Sequence, residues 1–172
     1  TIEPNAHIQE QLIADILDVS RIVTGKLRLE LKPIELAPVI EAALDAVRPA
    51  AAAKGIHLEA EMNYQGTVLG DPDRLQQVVW NLVSNAIKFT PAGGRVGVSL
   101  SRAGPSAVIR VSDTGEGNAS ELLPIIFDRF TQGDVSVTRP HGGLGLGLSI
   151  VRHIVESHGG RVVAQSEGDG RG

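Results

Sequence analysis

The 172-residue sequence contains no cysteine, which excludes a disulfide framework and any thiolate metal site. That absence fits a reducing compartment, and the chain reads as cytoplasmic. Aromatic residues are almost as scarce, at 3%, so a core has to be built from Val, Ile, Leu and Ala. There is no apolar run long enough to span a bilayer and no signal-peptide pattern, although an anchor elsewhere in an intact protein stays open. Basic charge is not concentrated anywhere, and the net charge of −4 argues against a nucleic-acid partner, which needs clustered Lys and Arg. The dinucleotide pattern GxGxxG, the phosphate loop GxxxxGK[ST] and the HRD and DFG signatures of protein kinases are all missing.

What is present is 42% hydrophobic and 21% charged residues with 20 glycines, enough apolar material for one domain and an appendage. Ile8, Leu12, Ile16, Val19 and Val23 recur at helical spacing up to Gly25, and the wide stripe predicts a helix packed against partners. The alternation of Leu27, Leu29 and Leu31 predicts an edge strand closed by Pro33. An Ala-rich helix follows from Pro38 to Lys54, then the short strands IHLEAEM and TVLGD with a Tyr-Gln-Gly turn between them. Asp71 and Pro72 start a strong helix that Thr90-Pro91 ends near Phe89. RVGVSLSR and SAVIRVSD form a hairpin. Ala119 to Phe130 mixes short helix and turn, Thr131 to Gly143 is a polar loop, Leu146 to His158 is helical, and RVVAQSE is a last strand. This order predicts a two-layer α/β sandwich, with helices on one face of a mixed, largely antiparallel sheet.

Three patches carry candidate chemistry. On the helix after Asp71, Asn81, Asn85 and Lys88 fall on one face at spacings of four and three, opposite Val79, Leu82, Val83, Ala86 and Ile87. Asn is a poor interior helix former, so the pair is either a solvated face or a set of neutral oxygen and ammonium groups for Mg2+ and phosphate. Asp113 ends a strand and runs into Thr-Gly-Glu-Gly. It is either a turn or an acceptor for the amino group of adenine, with glycines that let a flat base approach. Finally, His141 to Ser149 is a glycine-rich run opening a helix, which suits a mobile loop or a phosphate cradle.

In this order the patches resemble the catalytic, ATP-binding domain of sensor histidine kinases in the Bergerat (GHKL) ATPase superfamily. NLVSNAIKFTP resembles the N box, SDTGEG the first glycine box, IFDRFTQ the F box and HGGLGLGLSIV the second glycine box. LIADILDVSRIVTGKLRLE resembles the end of the preceding dimerisation helix. The resemblance implies a Bergerat fold over residues 27–172, lacking its last strand, after a remnant of the dimerisation and phosphoacceptor domain over 1–26. It implies ATP and Mg2+ as cofactors, with Asn85 as the metal ligand and Asn81 and Lys88 by the triphosphate. Asn85 and Lys88 would be the catalytic pair. Asp113, Gly115 and Gly117 would hold adenine; Gly143, Leu144, Gly145, Leu146 and Gly147 would anchor the lid over the nucleotide, with Phe127 and Phe130 as its apolar pins. The implied partners are a response-regulator receiver domain and a second copy, paired through the N-terminal helix of the intact protein.

The pattern is broken in two places. Asn118 follows Gly117 where the family has an aliphatic residue. None of the five histidines precedes an acidic residue as a phosphoacceptor would: His7 precedes Ile8, His57 lies in a strand, His141 in the loop, and His153 and His158 on a solvated helix. The chain is therefore expected to bind ATP without phosphorylating itself. The alternatives are a nucleotide-binding regulatory module without kinase activity, or another GHKL ATPase of the gyrase, mismatch-repair or chaperone kind.

Overall fold

The computed structural model of the protein describes residues 3–128, 145–166, 168 and 172, with side chains from residue 13 onward. The chain order is α1 Glu3–Val23, β1 Lys32–Glu35, α2 Leu36–Ala53, β2 His57–Met62, β3 Thr67–Gly70, α3 Pro72–Phe89, β4 Arg95–Ala103, β5 Ser106–Asp113 and α4 Gly147–Ser157. The strands form two small sheets. β1 and β3 pair antiparallel, while β2, β4 and β5 form a mixed sheet with β2 parallel and β5 antiparallel to β4. The expected α/β arrangement of helices against a mixed sheet is therefore present.

The apolar periodicities explain the packing. In α2, Leu36, Ile40, Ala43, Leu44, Val47 and Ala51 are all buried, a continuous stripe at helical spacing. In β4 the alternate residues Val96, Val98 and Leu100 face inward, the two-residue period of a half-buried strand. Val79, Val83, Ala86 and Ile87 of α3 close the same core. A second apolar cluster lies on the other flank of α3, where Val78 and Leu82 meet Ile150, Val151 and Ile154 of α4, together with Val19 and Ile22 of α1. Leu82 thus packs on α4 rather than on the sheet, because α3 is wedged between two apolar neighbours instead of lying on one.

Two expected elements differ. The first strand starts at Lys32 and runs through Pro33, which pairs opposite Leu69; Leu27 is drawn into the α4 cluster instead. Proline is tolerated because β1 has a single neighbour among the described residues and the ladder loses little without its N–H. The two strands expected on either side of Tyr64-Gln65-Gly66 are present and pair apart, β2 with β4 and β3 with β1. Residues 161–166 form no strand: no described neighbour supplies a ladder, Val162 packs on the second cluster, and Val163 is exposed.

Asp71 fixes where α3 begins. Its Oδ1 accepts from the N–H groups of Asp73 (3.1 Å) and Arg74 (3.2 Å), and its carbonyl accepts from Leu75 at 2.9 Å. With Pro72 lacking an N–H, the whole first turn is satisfied. Its other oxygen, Oδ2, accepts from Glu30 N–H at 2.9 Å. Burial alone would raise the pKa of this carboxyl, but the N–H donors of Glu30, Arg74 and Asp73, with the Arg74 charge, outweigh it and hold the pKa below 3.8. A depressed carboxylate stabilises the fold above its unfolded pKa and loses that contribution as pH falls through the folded value. Asp71→Ala is expected to lower stability by about 1–2 kcal/mol at neutral pH. The difference from the parent should shrink in acid below 3.8, as read by urea denaturation at the two pH values; an unchanged midpoint at neutral pH would contradict the capping role.

Candidate nucleotide site

The candidate residues collect around the C-terminal half of α3. Asn81 is buried at 6% exposure, so the Asn face is no solvated stripe. Its Nδ2 is buried and has no hydrogen-bond partner among the described residues. An orphaned amide donor is costly in a folded interior, by about 1–3 kcal/mol. A Cβ added to Gly147 would lie 3.3 Å from Asn81 Oδ1, which puts the first residue of α4 directly against this amide. The residue before it, Leu146, supplies no side-chain cap, so the open N–H groups of α4 and the Asn81 amide share one neighbourhood. Gly145 has φ of 66°, a left-handed turn that lets the chain enter the helix at this point. Asn85 is half-buried one turn further along α3.

Lys88 follows on the same face. Burial lowers its pKa from 10.5, and its Nζ lies 4.9 Å from the centre of the Phe89 ring. An ammonium group held in this desolvated position gains from an anionic neighbour.

Asp113 closes β5, opposite Val96 in the ladder. Its Oδ1 accepts from Gly115 N–H at 2.8 Å, so the Asp-Thr-Gly turn and the fixed carboxylate are the same object. Among the described residues no donor reaches Oδ2, which leaves an acceptor available to a ligand. Gly115 is buried, and a Cβ there would sit 2.7 Å from both Asp113 Oδ1 and the Phe89 carbonyl oxygen. Only glycine fits between the end of β5 and the end of α3. Gly117 has φ of 71°, and the N–H of Asn118 donates to Ser166 Oγ at 3.0 Å.

The end of α3 is fastened by a residue the sequence did not single out. Lys54, just after α2, donates from Nζ to the carbonyls of Ile87 and Lys88, both at 2.7 Å. Phe89 O accepts from Glu116 N–H at 3.3 Å, and Ala86 O from Thr90 N–H at 3.0 Å. All four terminal carbonyls are therefore used. Nothing in the sequence flags Lys54, because its partners are more than thirty residues away and are backbone atoms. His158 is a second such residue. Its Nε2 accepts from Asp71 N–H at 3.0 Å, and Nδ1 lies 2.8 Å from Ile154 O. It is an internal tie from α4 to the start of α3, not the solvated histidine expected, because both ring nitrogens meet backbone groups of fixed polarity.

Not every candidate lies in the described region. Gly143, Leu144, His141 and Phe130 fall outside it; Phe127 is half-buried in a run of tight turns. Arg152 of α4 reaches back to Asp128 at 3.2 Å. Among the described residues no helix is long and apolar enough to cross a membrane, and no cluster of His, Cys, Asp and Glu could hold a metal.

The pattern of the histidine kinase-, DNA gyrase B- and HSP90-like ATPases matches residues 70–172. Over the whole chain the sequence is 37% identical to hybrid signal transduction histidine kinase D of Dictyostelium discoideum, of which it spans only 13%. Among solved structures, a mycobacterial sensor histidine kinase, MprB, shares 34% identity with a TM-score of 0.65, over 75% of this chain and 80% of that one. Full-length ShkA in complex with AMPPNP gives a TM-score of 0.76 at 29% identity, over 91% of this chain and 33% of that one.

Removing the Lys54 ammonium strands two helix-terminal carbonyls. Lys54→Met is expected to cost about 2 kcal/mol in a denaturation midpoint and to speed amide exchange at Glu116. Unchanged exchange at Glu116 would show that Lys54 does not hold this junction.

Proposed function

The chain belongs to the histidine kinase-, DNA gyrase B- and HSP90-like ATPase family, on its sensor histidine kinase branch, and we propose that it is the ATP-binding kinase core of a two-component signalling protein. The observation that carries this reading is Asn81, whose Oδ1 faces the uncapped start of α4 while its buried Nδ2 has no partner among the described residues. Nδ2 and the first N–H groups of α4 are donors, and the oxygens of a phosphate chain can accept from them.

Each residue then has a physical task. Asn81 and the N–H groups from Gly145 to Gly147 hold phosphate oxygens, with Gly143, Leu144 and Leu146 completing the lid's anchor. Lys88 neutralises phosphate charge from a desolvated position, and Asn85 offers Mg2+ a neutral amide oxygen. Asp113, pinned by Gly115, accepts from the adenine amino group, and Gly117 keeps the face of the base clear. A guanine presents a carbonyl at the same place and would meet the carboxylate with repulsion. When bound, Mg-ATP would supply the phosphoryl group and a divalent charge, with Asn85 offering the metal its amide oxygen. The protein contributes position and electrostatic stabilisation for in-line transfer to a histidine outside this chain. In the intact protein the domain division near residue 26, pairing of α1 with a second copy, a receiver domain as the next acceptor and a cytoplasmic location complete the proposal. It is supported by the kinase names of the relatives, of which this chain spans a minor part.

Asp113→Asn exchanges an acceptor for a donor and is expected to weaken ATP about 10- to 100-fold by calorimetry; unchanged affinity would overturn the adenine assignment. Lys88 yields a pH test. Its burial-lowered pKa means that its charge is lost below the ordinary 10.5, so ATP affinity should fall as pH rises from neutrality toward that value. Lys88→Met should flatten this profile, and a parent profile already flat would remove Lys88 from the phosphate site.

A further inference from the structure

Asp18 of α1 is a carboxylate at 6% exposure, and nothing in the nucleotide chemistry uses it. Its partners lie on α3. Arg74 Nη1 stands 3.0 Å from Oδ1 and 2.9 Å from Oδ2, and Gln77 Nε2 donates to Oδ2 at 2.7 Å. Arg74 Nη1 also donates to Gln77 Oε1 at 2.8 Å, which locks the two α3 side chains to each other. Arg21, on α1 itself, is a distant and exposed fourth member at 3.9 Å. Both oxygens of the buried carboxylate are thus matched by donors from another element.

Among the described side chains of α1, the apolar part of the contact is small. Val19 and Ile22 touch the α4 cluster, while Ile13, Ile16, Leu17 and Val23 are exposed. Apolar contact is non-directional, so two side chains cannot by themselves fix an angle. A hydrogen-bonded carboxylate fork can, because it works at one geometry. Arg74, Gln77, Asn81, Asn85 and Lys88 follow one another at spacings of three, four, four and three along a single face of α3. Asn81 therefore stands about 6 Å further along the helix axis than Gln77.

We infer that Asp18, Arg74 and Gln77 form a releasable clasp that sets where the nucleotide helix stands relative to the N-terminal helix. With the clasp closed, α3 carries the phosphate-facing amide at a fixed height along α1. With it open, the small apolar contact lets the ATP-binding domain turn on α1 without unfolding. The pair is suited to release because Arg74 is still 21% exposed and can return to water, whereas a purely apolar joint would have to be wetted.

The cysteine-free sequence allows spin labels to be introduced without background. Labels at Ser20→Cys and Glu59→Cys report α1 against the sheet; labels at Glu59→Cys and Ser157→Cys report the ATP-binding domain alone. In spin-diluted samples of the full chain, the first pair should give one narrow distance. Asp18→Ala should widen that distribution about twofold or add a second distance and leave the second pair unchanged. The exchange Asp18→Arg with Arg74→Asp should narrow it again, and the milder Gln77→Leu should widen it partway. An unaltered first pair in Asp18→Ala would overturn the clasp. So would equal broadening of both pairs, which would make Asp18 a general folding contact, or failure of the charge exchange to restore the narrow distance.

Discussion

The last four carbonyls of a helix have no partner inside it, and at α3 every one of them is answered from elsewhere in the chain. Thr90 closes Ala86, the ammonium of Lys54 holds Ile87 and Lys88, and the glycine turn after β5 holds Phe89. These bonds bring α2, α3 and β5 to one point. Lys88 and Asp113 stand beside that point, where the terminal carbonyls are answered by the chain itself. The opposite end is closed as completely, by Asp71, Pro72 and His158. A helix fixed at both ends can carry polar side chains at set heights, as a binding face requires.

The two apolar clusters explain why that face stays open. Val79, Val83 and Ile87 commit one flank of α3 to the sheet, and Val78 and Leu82 commit another to α4. Asn81 is left at the seam, next to the start of α4, where a side chain on Gly147 would crowd it. The seam buries the Asn81 Nδ2 with no partner among the described residues, and the proposed phosphate would supply one. The Gly115 contact with the Phe89 carbonyl has the same logic: a position that tolerates no side chain places β5 and α3 close enough to share one ligand.

Much of this was legible in the sequence because it follows from local rules. Asp71-Pro72 marked the helix start, the Val96, Val98 and Leu100 alternation marked β4, and the ordered boxes marked the family. What was not legible depends on distant partners. The Leu27, Leu29 and Leu31 alternation resembled a strand, but Leu27 is claimed by α4 instead of a sheet. RVVAQSE has strand composition, yet without a described ladder neighbour it stays irregular. Lys54 and His158 could not be found from spacing, since each bonds to backbone atoms far away in the chain. Asp18 looked like one polar residue among several on an amphipathic helix, and only the fold brings Arg74 and Gln77 to it.

The proposed site turns on the buried Asn81 Nδ2, which has no partner among the described residues and would donate to a phosphate oxygen of the nucleotide. Nuclear magnetic resonance can observe that side-chain NH2 group directly while Mg-ADP and then a non-hydrolysable ATP analogue are titrated into the protein. The account predicts a large shift of the Asn81 side-chain amide, together with the backbone amides of Gly115 and Gly147, saturating at one affinity, while the amides of β2 and the middle of α2 stay in place. An Asn81 side-chain resonance that does not move when the nucleotide saturates the protein would contradict it.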